Sequence, residues 1–434
     1  MANKSVEAPV KKKGRPKGSK NKKQNGKKVE AVTEEDVPNL DHKSKVETAI
    51  ARINKNLGGS AVVRKASDRT YSYNLRRPFG ILSLDMATGG GLPAGSICQL
   101  FGPEGVGKNY LMNCLIRECQ NNYGENASIA YTSFEYGYDK PYGWLCGVSV
   151  ALSDSEMAEY LSDAGEQVQE EEMHDLTNQV GSFYIIDVGE DGKTIPAESK
   201  FQTVLEIVES GLFQLVFIDG LGAFAGQGSR MDGDKRRDLS KLGKVAENAR
   251  LMTTFLSEAF TLLSMPTESG GMNGTTLVMN NQQRANITTG MNPYQARHAA
   301  KTRMGGGYAL GHAKAIDIHL RATGKLRVSN KVIGKSVAWR IAKGKLGTHE
   351  GLEGEYDYYF GSGVDADKDL VNTAKALKVI ETRGPRIYVP GHTKGMTKEQ
   401  VENYYLGEEE EKKERRNQLV AECLKRSGLV VRNV

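Results

Sequence analysis

Nowhere in the 434 residues do apolar side chains run on for the ~18 positions a helix needs to cross a bilayer, so no membrane span and no membrane partner are expected. The amino-terminal stretch MANKSVEAPVKKKGRPKGSK also lacks the apolar segment of a secretory signal, which predicts a cytoplasmic location. Cysteine is scarce. Cys98, Cys114, Cys119, Cys146 and Cys423 are odd in number and contain no C-x-x-C pair, which argues against both a disulfide framework and a zinc ribbon. They are expected to be reduced and mostly buried.

Charge is unevenly placed. Residues 1–28 hold eleven Lys/Arg and one Glu, a net of +10 in a chain of +6, so the remainder carries −4. The basic character therefore belongs to a tail. Residues 1–42, rich in Lys, Gly and Asn, have too few apolar groups to offset the entropy of ordering and are expected to be disordered. Within them KKKGRPKGSKNKK resembles an AT-hook, with Arg15 in a narrow core suited to a minor groove and lysines suited to phosphates; a sequence-blind polybasic tail is the alternative. Double-stranded DNA is the partner this predicts.

In SKVETAIARINKNLGG, Val46, Ala49, Ile50, Ile53 and Leu57 fall at helical spacing, and Gly58-Gly59 ends the run. A short amphipathic helix and the strand-like TYSYNL should together occupy 43–79, ahead of an 80–348 core and a small 349–434 carboxy-terminal domain. In the core, SICQLF, SIAYTSF, SFYIIDV, LVFIDG, TTLVMNN, AIDIHLRA and VAWRIAK read as strands separated by helical or mixed segments. Strands apolar throughout imply an α/β fold with a mostly parallel central sheet covered on both faces. Residues 154–175 read as an exposed helical excursion, and beyond Lys345 the pattern turns helical and charged.

GPEGVGKN follows the strand SICQLF and precedes the helix-like NYLMNCLIRECQ. Strand, glycine loop and helix in that order make a phosphate-binding loop. Gly102, Gly105 and Gly107 let backbone N–H groups converge on a triphosphate, and Lys108 neutralises its β/γ oxygens. The pattern asks for a hydroxyl after the lysine to hold Mg²⁺, yet Asn109 stands there. Its amide oxygen can take that role, or phosphate and water can hold the metal. Asp219, ending LVFIDG, lies where it can reach a metal-bound water.

The ordered set AIARINKNLGGSAVVRKASDRTYSYN, GILSLDMATGGGLPAGSICQLFGPEGVGK, FEYGYDKPY, LVFIDGLGAF, VMNNQQR, MGGGYALGHAKAIDIHLR, WRIAKGKLG and YYFGSGVDADKDLVNTAKALKVIETRG resembles the bacterial and phage RecA-type DNA recombinases from about Ala49 onward. The resemblance implies a RecA-like P-loop ATPase core with an amino-terminal polymerisation helix and a small α/β carboxy-terminal domain. ATP and Mg²⁺ are the implied cofactors. The ATP-binding set it implies is Gly102, Pro103, Glu104, Gly105, Val106, Gly107, Lys108, Asn109 and Tyr110, with Asp139 and Tyr142 at the adenine and Asn109 and Asp219 at the metal.

By the same resemblance Glu135 activates the attacking water, Gln282 senses the γ-phosphate, and Lys343 and Lys345 reach a neighbouring copy's nucleotide. DNA contact falls to Arg230 and Arg250 around a first loop, 227–244. A second loop, 284–307, supplies Arg284, Asn286, Arg303, Gly306 and Gly307. The implied partners are single-stranded DNA, duplex DNA and further copies in a helical filament, and the implied activity is DNA-dependent ATP hydrolysis driving strand exchange. Two alternatives stay open: a ring helicase on the same core, and an ATP-binding filament or packaging protein with little turnover. Departures from the family pattern include Asn109, Tyr110 and His312, the 154–175 insertion, a long first DNA loop and the lack of a strongly acidic tail.

Overall fold

The computed structural model describes residues 42–56, 75–135, 137–153, 155–158, 179–187, 195–221, 231–232, 235–236, 245–267, 271–285, 302–304, 307–407 and 409–427. The chain divides into two units, 1–69 and 70–434. In the first, helix α1 (His42–Asn56) carries the expected stripe, with Val46 and Ile53 both exposed. The basic tail and TYSYNL up to Asn74 lie outside the described residues, as does most of 154–175.

The second unit is built on a ten-stranded sheet. Six strands are parallel, in the order β11 (Ile316–Val328), β3 (Ser96–Gly102), β9 (Thr276–Ala285), β6 (Leu215–Asp219), β4 (Ser128–Ser133) and β5 (Ser182–Ile186). Alternation along each strand divides the core in two. Cys98, Leu100, Phe217, Val278 and Ile318 pack on one face with Leu111 and Leu115 of α3 (Lys108–Tyr123). Ile97, Val216, Ile218, Leu277 and Met279 pack on the other. There they meet Phe201 of α5 (Ala197–Ser210) and Phe255 of α6 (Val245–Ser264). Strands buried on both sides must be apolar at every position, which is why period-2 patterning is missing from LVFI. All five cysteines are unpaired and buried.

Two features differ from the expectation. β11 and β12 (Lys331–Gly344) run well past the anticipated strands as an antiparallel ribbon, closed at Ser329-Asn330, both with positive φ. Most of the extension of β11 is exposed, so no burial pattern betrays it. And where a helical pattern was expected after Lys345, β13 (Glu353–Tyr359) and β14 (Gly363–Val364) continue the sheet beyond β12. The helices come later. α8 (Ala366–Ala376) and α9 (Lys398–Tyr405) start at side-chain caps from Asp365 and Thr397. With α10 (Glu410–Ser427) they enclose a third cluster, including Leu370, Ala374, Val401 and Leu419.

Candidate nucleotide-binding site

Because β3, β4, β6 and β9 are parallel, their carboxyl ends share one edge of the sheet, where α/β folds bind ligands. Gly102 faces Gln282 and Ser133 faces Asp219 across the ladders. A cavity of about 430 Å³ opens there between the phosphate loop, Glu135, Asp219, Gln282 and the aromatic pair Tyr142 and Tyr358.

The loop's geometry explains its glycines. Gly105 (φ 65°) and Gly107 (φ 107°) are left-handed, and a Cβ on Gly102 would sit 2.7 Å from the Leu320 carbonyl. Gly107 ends the loop as the N-cap of α3, whose first N–H groups carry positive potential. Lys108 Nζ donates to the carbonyls of Gly102 (3.1 Å) and Pro103 (2.8 Å). Burial pushes its ammonium below the ordinary lysine range, opposed by the charges of Asp219, Glu135 and Glu104. Val106 is buried against Gly102, whereas Glu104 is exposed.

Asp219, 7% exposed, accepts from Asn280 Nδ2 (2.6 Å) and the Tyr131 hydroxyl (2.9 Å). Burial raises its carboxyl above the ordinary 3.8, and these donors oppose the rise. The same Asn280 nitrogen donates to Asn109 Oδ1 (2.8 Å). Both candidate metal groups are thus held by one amide. A buried carboxylate and an amide oxygen, each with a lone pair to spare, suit a hard cation completed by phosphate and water. Among the described residues no three His, Cys, Asp or Glu converge, so no all-protein cage competes with that arrangement. The residues present fit Mg²⁺ held largely by a nucleotide.

Glu135 and Gln282 meet directly, Gln282 Nε2 lying 2.9 Å from each carboxylate oxygen. Glu135 rests over Gly220, where a Cβ would come within 2.6 Å of its Cγ. Asp139 caps α4 (Lys140–Leu145), accepting from the Tyr142 N–H (2.9 Å). That helix presents Tyr142 to the cavity, its hydroxyl 2.8 Å from that of Tyr358. Tyr110 is buried, its ring centroid 4.7 Å from that of Tyr358, and its hydroxyl accepts from the Val364 N–H (2.8 Å).

The chain that frames this cavity is similar in sequence to known proteins. Residues 44–189 match the family model described as the RecA N-terminal domain. Over 392 residues the chain is 27% identical to Protein RecA of Thermus aquaticus, covering 89% of this chain and 95% of that protein. Protein RecA of Thermus thermophilus is 28% identical over 346 residues (78% and 82%), and that of Bdellovibrio bacteriovorus 24% over 379 residues (87% and 84%). The similarity is to RecA-type recombinases, and it runs over most of the chain. The matched stretch covers most of the length of these RecA relatives.

Other anticipated residues lie elsewhere. Lys343 faces Asp317 across the β12–β11 ladder, and Asp317 faces Gln99 of β3. That is three residues short of Gly102, about 10 Å along the strands toward the opposite edge. Lys343 Nζ donates there to the carbonyls of Gly311 (2.5 Å) and His312 (3.3 Å), and Lys345 is exposed just beyond. Neither lysine joins its own chain's cavity. Arg284 and Arg303 are paired positions of β9 and β10 (Thr302–Met304), Gly307 opens α7 (Gly307–Ala313), and Arg250 is exposed on α6. Arg15, Arg230, Asn286 and Gly306 lie outside the described residues.

Four cavity residues escaped the sequence reading: Asn280, Lys335, Tyr358 and Phe360. The alternation of Tyr356, Tyr358 and Phe360 was a strand signal for one of the aromatic faces. Nothing local marked Asn280 or Lys335.

Proposed function

We propose that this chain is an ATP-dependent recombinase that forms helical filaments on single-stranded DNA, aligns homologous duplex and exchanges strands. ATP binding favours the DNA-gripping filament and hydrolysis releases it. The observation that carries the proposal is the Glu135–Gln282 contact. Gln282 lies on β9, which runs on to Ala285 and into residues 286–301, and β10 returns to pair with it. A residue that touches the water-activating carboxylate thereby stands at the root of the proposed DNA loop.

In this scheme the loop N–H groups and Lys108 hold the β- and γ-phosphates, and Tyr142 stacks on adenine while Asp139 fixes its helix. Glu135 takes a proton from the water whose oxygen bonds to the γ-phosphorus, and the bond to the bridging oxygen breaks to leave ADP and phosphate. Asp219 and Asn109 would hold Mg²⁺, which when bound would supply charge neutralisation at the phosphates.

Lys343 and Lys345 act on the nucleotide of an adjacent copy, a role supported by their place on the edge away from their own phosphate loop. The stripe of α1 docks on that neighbour. Arg250, Arg284 and Arg303 join the proposed DNA contacts at Arg230, Asn286, Gly306 and Gly307, and the basic tail around Arg15 recruits duplex. The organisation is a tail to residue 42, an oligomerisation segment to 79, an ATPase core to 348 and a carboxy-terminal domain.

Electron microscopy with single-stranded DNA and a non-hydrolysable ATP analogue, alongside DNA-stimulated phosphate release, tests this. Filaments and stimulated release are expected. Solitary particles under every condition refute assembly, closed hexamers with directional unwinding favour a ring helicase, and filaments without turnover reduce the chain to an ATP-binding filament.

A further inference from the structure

We propose that Lys335 is a second ammonium of the phosphate site, holding nucleotide phosphate from the same chain together with Lys108 and lessening the site's reliance on divalent metal. The proposal rests on the nucleotide-binding reading above and adds a residue to it. Lys335 stands on β12 opposite Lys325 and Tyr358, on the part of the ribbon that reaches the carboxyl edge of the sheet. It lines the cavity with Lys108, and its Nζ donates to the carbonyl of Gly105, in the middle of the phosphate loop.

Two rings hold it there, with Nζ 5.3 Å from the centroid of Phe360 and 6.0 Å from that of Tyr358. Among the described residues no acidic side chain acts on its charge, and desolvation alone lowers its affinity for the proton. Lys108 likewise spends its hydrogen bonds on carbonyl oxygens. Two ammonium groups thus converge on one loop through neutral acceptors; Lys108 has the carboxylates of Asp219, Glu135 and Glu104 near it, whereas Lys335 lacks the counter-charge that a polyanion brings. Aromatic faces stabilise a cation without neutralising it, so Lys335 stays available to a phosphate oxygen.

This placement has a bearing on Asn109. Where the metal-side group is an amide already shared with Asn280, a second fixed cation offers phosphate a contact that needs no metal. Lys343 and Lys345, at the other edge, cannot provide it within one chain.

The test is competition of ATP and of adenosine against a fluorescent ATP analogue, with Mg²⁺ and with excess EDTA. Wild type, Lys335→Met, Lys335→Arg and Lys108→Ala are compared. Methionine keeps the apolar stem against the two rings. A hydrogen bond to a charged group is worth about 10–100-fold in affinity, so Lys335→Met should weaken ATP by that factor. The loss should be larger in EDTA, adenosine should be little changed, and Lys335→Arg should restore most of the affinity. Equal ATP affinity of Lys335→Met and wild type overturns the proposal, as does an equal loss of ATP and adenosine, which would mark Lys335 as packing only. Wild type that binds no ATP at all sinks the nucleotide site itself, whereas loss in Lys108→Ala with no effect at Lys335 refutes this inference alone.

Discussion

Replacing Glu135 by Gln separates the chemistry of the site from its architecture. The side chain keeps its length and its seat over Gly220, and one amide oxygen still accepts from Gln282. What goes is the charge, one of two acceptor oxygens and the ability to take a proton. Exchanging a charge-assisted hydrogen bond for a neutral one at this exposed contact changes stability and nucleotide affinity by about 1 kcal/mol at most. Loss of a general base costs 10²–10⁴-fold in rate, about 3–5 kcal/mol of barrier. Nucleotide binding by fluorescence, urea midpoint and DNA-stimulated phosphate release are measured on the same preparations. The expected result is a fall in turnover of at least a hundredfold with binding and midpoint nearly fixed. Turnover within tenfold of wild type, or loss of binding in parallel with turnover, would refute the assignment of Glu135.

Asn109→Thr offers a metal-side hydroxyl and should raise phosphate release several-fold at limiting Mg²⁺, read from a Mg²⁺ titration of turnover. Lys343→Ala and Lys345→Ala should abolish DNA-stimulated turnover while leaving fluorescent-nucleotide binding to dilute protein unchanged; lost binding would place the lysines in their own chain's site. Asp317 is 3% exposed, bonded to Lys314 Nζ and 3.1 Å from His319 Nε2, and although burial works to raise its carboxyl, these partners hold it below the ordinary 3.8. Its native form therefore binds fewer protons than its unfolded form, so the stability it contributes is complete above pH ~4 and is lost as pH falls through the lower native value. Asp317→Asn should cost about 3–5 kcal/mol at neutral pH, by stranding buried Lys314, and should flatten the acid limb of a urea-midpoint profile.

The strands bearing the phosphate loop, Glu135 and Asp219 were legible because each is a short apolar run ending in a residue with one obvious chemistry. Their strand order was not. Whether Gly102 lies beside Gln282 or Asp219 depends on pairings that periodicity does not encode. Asn280 looked like one more polar residue at a strand end, yet it is 3% exposed because β6 and β3 flank β9 on both sides. Lys335 was invisible for a different reason: its partner Gly105 is 230 positions away, and the ribbon that delivers it is held by backbone pairing rather than by a buried face. The strands after Lys345 carried a period-2 signal in EGEYDYY, which the heavily charged helical pattern further along the chain obscured.

Gly220 has no chemistry of its own, yet one extra carbon on it would occupy the place where the stem of Glu135 rests. Its φ of +73° makes the same demand on the backbone, so steric room and chain conformation both forbid a side chain there. Random mutagenesis screened for inactive but folded protein should therefore return hits at this bare position almost as readily as at the carboxylate above it.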